Sequence, residues 1–290
     1  MLPDQPVIPM LSSLLQQLGL HPTRVSPVHG GDINQVFKVF KGDQAFFIKI
    51  NEAAAFPGIM EKEARGLEAL RIESLFKIPA VEAVGEWQGL QWLLLEWLTP
   101  APRQTDFWKR FGEALAHQHL LKQSAFGWTE DNYIGRLPQS NRTHANWTDF
   151  YIQERIRPLV QVLVDTKQFS TEMLNRLEKL HAVIENEFPT EAPALLHGDL
   201  WSGNFSCTGD GYPTIFDPAV YAGHREMDIG MTQLFGGFDS SFMDAYQFYY
   251  PLENNWRKRL PLTQLYPILV HAALIGGHYV NEARSIIAAY

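Results

Sequence analysis

The segment LLHGDLWSGNFSCTGDGYPTIFDPAVY, residues 195–221, decides the reading of this 290-residue chain. It carries His197-Gly198-Asp199, then Asn204 five residues after Asp199, then Asp217 another thirteen on. Between Asn204 and Asp217, two short apolar runs flank Thr208-Gly209-Asp210-Gly211, a composition that predicts a β-hairpin. Such a hairpin returns the chain and sets Asp217 near the loop that holds Asp199 and Asn204. Taken singly, each residue reads equally well as a turn cap or, for Asp217, a strand end before Pro218. The three together at these spacings point to shared chemistry.

The chemistry these residue types suit is phosphoryl transfer. Transfer from ATP needs Mg²⁺ against the phosphate oxygens, and the hard oxygens of Asn204 and Asp217 suit that ion. It also needs a base beside the attacking hydroxyl, for which Asp199 is the candidate. Protein kinases arrange the same tasks as H-R-D-x-x-x-x-N followed by D-F-G. Here Gly198 replaces the Arg, and the second element is Phe216-Asp217-Pro218.

The earlier half of the chain supplies the expected counterparts. Lys49 lies inside the apolar run FFIKIN, where its ammonium either faces ATP phosphates or sits on the solvent side of an edge strand. Glu63, in the helical stretch EKEARGLEAL, is its natural partner. Gly30 and Gly31, in HGGDIN, suit either a phosphate-covering turn or a plain hairpin turn, since glycine lets backbone N–H groups approach an anion. Glu96 and Leu98 end the last strand-like run before Thr99-Pro100-Ala101-Pro102 and are assigned to adenine through their main chain.

Downstream, Asp228 opens an apolar helix and reads either as its cap or as a brace for the loop of His197 and Asp199. Trp201 suits stacking on a substrate ring or packing beneath the loop. His117 and His119 are two apart on a helix and face different ways, so they are not a metal pair. His271 and His278 read as core or rim residues.

Periodicity divides the chain near Thr99. Residues 10–20 and 61–70 read as helices, and residues 35–40, 45–50, 80–85 and 90–98 as strands. Helices are expected at 106–121, 147–164, 170–188, 238–250 and 261–289, interrupted by a short β insertion at 195–216. The expected class is α+β with two lobes and a cleft between them: residues 1–98 a small, mostly β lobe that binds nucleotide, and 99–290 a larger helical lobe that binds the acceptor.

A formal charge of −8 argues against a broad nucleic-acid or anionic-membrane surface. No apolar run reaches spanning length, because the greasiest late segment is cut by His271, Gly276, Gly277 and Asn281. Cys207 is the only cysteine, so no disulfide forms within the chain. The start MLPDQPVIPM lacks the pattern of a secretion signal, and a cytoplasmic, monomeric protein is expected.

The run HGDLWSGN, with FDPAVYAGHREMDIGMTQLFGGF after it, resembles the fructosamine kinase (ketosamine-3-kinase) family, relatives of aminoglycoside and choline kinases. HGGDIN, FFIKIN, FGWTEDNYIG, PQSN and WTDFYIQERI extend the resemblance over residues 28–279. It implies a protein-kinase-like fold and ATP-dependent phosphorylation of the 3-hydroxyl of ketosamines, including glycated lysine, as deglycation repair. It also implies that Lys49, Glu63, Asp199, Asn204 and Asp217 occupy the nucleotide, base and metal positions, with His197 and Asp228 in support. Asp32 departs from the family, where a small hydroxyl or thiol residue is common, and is left unassigned. Alternatives are a kinase for another hydroxylated amine (an aminoglycoside, choline or a sugar) or a nucleotide-binding pseudoenzyme.

Overall fold

The computed structural model describes residues 7–28 and 34–290. Gly30 and Gly31 lie outside them. Two compact units emerge, Met1–Arg65 with Pro79–Leu98, and Gly66–Ile78 with Thr99–Tyr290.

The first unit is built on a five-stranded antiparallel sheet in the order β1-β2-β3-β5-β4. Its strands are β1 (Arg24–Pro27), β2 (Gln35–Lys41), β3 (Gln44–Glu52), β4 (Val81–Trp87) and β5 (Leu90–Glu96). Gly42, at φ +61°, turns β2 into β3, and Gly89, at φ +79°, turns β4 into β5. Helix α1 (Val7–Gln17) sets Leu11, Leu14 and Leu15 into one core with Val39, Phe46, Ile48, Ile50 and Trp92. Alternation in β3 sends Phe46, Ile48 and Ile50 into that core, while Lys49 points to the other face. Helix α2 (Ile59–Arg71) follows β3 and carries Glu63.

The second unit is mainly helical: α3 (Phe107–Leu120), α4 (Trp147–Phe150), a π-helical stretch (Tyr151–Ile156), α5 (Arg157–Asp165), α6 (Glu172–Glu187), α7 (Glu226–Leu234), α8 (Ser240–Tyr249), α9 (Trp256–Leu274) and α10 (His278–Ala288). Between them lie three two-stranded ladders: β6 (Asn132–Ile134) with β7 (Leu137–Gln139), β8 (Ala194–Leu196) with β11 (Tyr221–Gly223), and β9 (Phe205–Cys207) with β10 (Pro213–Ile215). The core gathers Phe150, Tyr151, Ile156, Leu177, Leu180, Leu196, Tyr221, Leu265 and Leu269.

One expectation needs correction, and two features go beyond what was expected. The final helix is two helices: Gly276 and Gly277, at φ +76° and +63°, break it, and its first part begins at Trp256 with Pro261 and Pro267 inside it. The stretch 147–164 is helical but passes through a π turn, a form frequent near functional sites. The pairs β6–β7 and β8–β11 were not foreseen, because three-residue strands carry too little periodicity to register.

Candidate active site

Strand β8 delivers the chain to the loop 197–204, and β11 runs antiparallel to it, pairing Leu196 with Tyr221. The hairpin read from Thr208-Gly209-Asp210-Gly211 is β9–β10, in which Phe205 faces Ile215. One step further the Phe216 N–H donates to the Asn204 carbonyl at 3.1 Å. Register alone therefore puts Asp217 one residue from the partner of Asn204.

Gly198 is required by its surroundings. It holds φ +82°, and a Cβ there would lie 2.1 Å from the Ala219 carbonyl oxygen. This explains why the Arg of the protein-kinase motif is missing. His197 fastens the loop: its Nε2–H donates to the Phe216 carbonyl at 2.9 Å, and its Nδ1 accepts from the Asp199 N–H at 3.2 Å. Burial holds the imidazole below its usual pKa, so it stays neutral in this arrangement.

Asp228 braces the same loop from α7. Its Oδ2 accepts from the His197 N–H at 2.8 Å and its Oδ1 from the Gly198 N–H at 2.9 Å. The His119 ring adds a third contact at 3.3 Å. Burial alone would raise this carboxyl, yet the His119 and backbone contacts hold it below its usual range. His119 went unnoticed as a partner because nothing local in α3 relates it to a residue 109 positions away.

Asp199 is half-buried, and the Asn204 side-chain amide donates to both its carbonyl and its Oδ2, at 2.9 and 3.0 Å. Burial pushes the Asp199 carboxyl up to about 7; the Asn204 hydrogen bond opposes that, and the charges of Asp217 and Asp228 add to it. A carboxylate poised near neutrality is suited to accept a proton and release it. Asp217 holds φ +57° immediately before Pro218, a conformation that costs a non-glycine residue roughly 1–3 kcal/mol and is typical of functional positions.

The donor set fits a magnesium ion. With its NH₂ committed to Asp199, Asn204 has its amide oxygen left for a cation, and Asp217 adds a carboxylate. Among the described residues no group of three or more His, Cys, Asp or Glu could hold a metal. Mg²⁺ bound with phosphates needs only one or two protein carboxylates.

In the first unit, Lys49 Nζ and Glu63 Oε1 form a 2.6 Å ion pair with side-chain exposures of 4% and 11%. Glu96 is already engaged in the sheet: its N–H donates to the Ala80 carbonyl at 2.9 Å and its Oε2 accepts from the Ala80 N–H at 3.2 Å. That N–H is not available to adenine. Leu98 lies two residues beyond the end of β5.

Trp201 is 38% exposed and begins a row of rings. Phe235 follows at 6.1 Å, His271 at 5.1 Å from it, and Tyr279 at 4.9 Å beyond that. The indole lies over Gly203, where a Cβ would sit 2.3 Å from the ring. Strands β6 and β7 hold the stretch that follows Asp217 and Pro218. Asn132 Nδ2 donates to the Val220 carbonyl at 2.8 Å and Gln139 Nε2 to the Ala219 carbonyl at 3.2 Å. Residues of DNYIG and PQSN thus fix the main chain two to three residues after Asp217.

The chain is similar to several known proteins. The family profile described as fructosamine kinase matches residues 7–290. An Enterococcus faecium protein named as a ketoamine kinase is 35% identical over 279 residues, covering 96% of this chain and 98% of its own. A Thermobifida fusca crystal structure named as a fructosamine-3-kinase superposes with a TM-score of 0.83 at 32% identity, covering 96% and 98% of the two chains. The aminoglycoside phosphotransferase APH(4)-Ia, solved with AMP-PNP and hygromycin B, superposes with a TM-score of 0.64 at 16% identity, covering 96% and 97%, and shows the fold alone. The fold is protein-kinase-like, and the chain belongs to the fructosamine kinase family.

Proposed function

We propose that this protein is an ATP-dependent ketosamine kinase that phosphorylates a sugar hydroxyl, the 3-hydroxyl in the family's pattern, on sugars attached to amines. The observation that carries the reading is Asp199, a half-buried carboxyl held by Asn204 with its pKa moved up to about 7, in a chain of the fructosamine kinase family. Asp199 takes the proton of the attacking hydroxyl. Asn204 and Asp217 hold magnesium, which when bound with ATP neutralises the phosphate oxygens. Lys49, oriented by Glu63, binds the ATP phosphates.

His197 and Asp228 keep the loop in place, so the base meets the acceptor without reorganisation. Trp201, Phe235 and His271 wall the acceptor, since aromatic faces suit both the C–H face of a sugar and an ammonium. Glycated lysine, free or in protein, is an acceptor in this reading, and the enzyme works as a cytoplasmic monomer. ADP release should be measured with Mg-ATP across fructosamine, ribulosamine, erythrulosamine, aminoglycoside and choline acceptors. Turnover with the ketosamines supports the proposal; turnover confined to choline or an aminoglycoside rejects it.

A further inference from the structure

Behind Asp228 a line of buried side chains runs through α3 and α8 toward the Glu191 carboxylate. His119 Nδ1 lies 2.8 Å from the Tyr246 hydroxyl, and its Nε2 lies 3.3 Å from Asp228 Oδ2. Arg225 Nη1 reaches the same hydroxyl at 3.3 Å. Its Nε and Nη2 hold Glu191 at 2.8 Å each, and it also donates to the carbonyls of Tyr250 and Pro251. His119, Tyr246, Arg225 and Asp228 are each no more than 2% exposed. Gly112 permits the line to form. A Cβ there would lie 2.3 Å from the Phe242 carbonyl and 2.8 Å from the Tyr246 nitrogen, so α3 and α8 meet backbone to backbone.

Donor and acceptor counting gives the line a direction. An arginine can only donate, so the Tyr246 oxygen accepts from Arg225. Asp228 is held ionised and accepts from two backbone N–H groups, so His119 Nε2 must carry a proton to face it. The Tyr246 proton then goes to the bare Nδ1 of His119. A proton on Nδ1 instead would leave a fully buried hydroxyl hydrogen with no acceptor among these groups.

We propose that Tyr246 and Arg225 hold the His119 ring with its proton on Nε2 and, through it, orient Asp228 and the loop that carries Asp199. Both are positioning residues for the transfer, remote from substrate and nucleotide, and no motif in the sequence links the two.

The test is ¹⁵N NMR of the full-length protein labelled at histidine, with the His119 signals assigned by their loss in His119→Gln. The expected wild-type result at neutral pH is a protonated Nε2 and a bare Nδ1. In Tyr246→Phe, which removes one oxygen and keeps the ring, His119 should become a mixture of protonation forms. Its kcat should fall about fivefold, the size expected for one lost buried hydrogen bond, with the KM for ATP unchanged. A wild-type proton on Nδ1 overturns the proposal. So does a Tyr246→Phe enzyme whose His119 form or kcat is unaltered. The kinetic arm rests on the function proposed above and the spectroscopic arm does not. A wild-type enzyme with no ketosamine turnover would count against that function and leave the tautomer result to judge this one.

Discussion

The side-chain amide of Asn204 donates to the Asp199 carboxylate at 3.0 Å while Phe216, one residue before Asp217, donates to the Asn204 backbone carbonyl at 3.1 Å. One asparagine thus ties the proposed base to the returning strand that brings the second carboxylate. Its NH₂ is committed to Asp199, and the proposed function gives its amide oxygen to the magnesium ion.

The pH dependence of the free enzyme follows from Asp199. A base works ionised, so kcat/KM should rise with pH through a midpoint of about 7 and fall towards acid. Because the folded-state value lies above the usual carboxylate range, the ionised group opposes folding once pH exceeds that range, fully so above about 7. Asp199→Asn should therefore melt above wild type at pH 8, with the gap closing as pH falls toward 4. Melting curves across that window check the sign.

Asn204→Ala removes the one contact that lowers the Asp199 value. The acid limb of any residual activity should move to higher pH, and kcat should fall at least about 10²-fold, because a metal oxygen is lost with the same substitution. Wild-type-like kcat at saturating magnesium would remove Asn204 from the site.

Asp217→Gly separates function from fold. Glycine adopts φ +57° without strain, so the variant should retain stability within about 1 kcal/mol of wild type or exceed it. Its Mg-ATP-dependent turnover should nevertheless be lost. Urea titration and ADP release on the same preparation give both answers.

Breaking the Lys49–Glu63 pair by Lys49→Met should lower stability along with ATP affinity. Pairing it with Glu63→Leu should restore most of the stability and none of the affinity. Recovery of both would make the pair structural only.

Gly203→Ala pushes a methyl group into the Trp201 indole, 2.3 Å from the ring in its present place. It should raise the KM for the acceptor as Trp201→Ala does, with the KM for ATP unchanged in both. An acceptor KM insensitive to either substitution would make Trp201 a packing residue.

Much of this site was legible because its signals are local. The spacing of Asp199, Asn204 and Asp217 fixes a loop and a hairpin, and Thr208-Gly209-Asp210-Gly211 marks the turn between β9 and β10. Lys49 stood out as a charge in an apolar strand, and alternation along β3 turns it away from the Ile48 and Ile50 core. What sequence could not supply was long-range pairing. Asp228 offered two readings, cap and brace, and only its bonds to His197 and Gly198 distinguish them. His119, Tyr246 and Arg225 meet across three elements with no shared motif, and Phe235 and His271 join Trp201 only through tertiary packing. The end of α9 at Gly276-Gly277 was visible in principle, but continuous apolar spacing on both sides masked it.

The most direct test follows product by ³¹P NMR, with Mg-ATP and a fructosamine acceptor, for wild type and Asp199→Asn at equal enzyme concentration. The expected result is a sugar phosphomonoester growing at the expense of the ATP γ-phosphate with wild type, and formation slowed by about 10²–10⁴-fold in the variant. A phosphomonoester formed equally fast by both enzymes, or by neither, would contradict it.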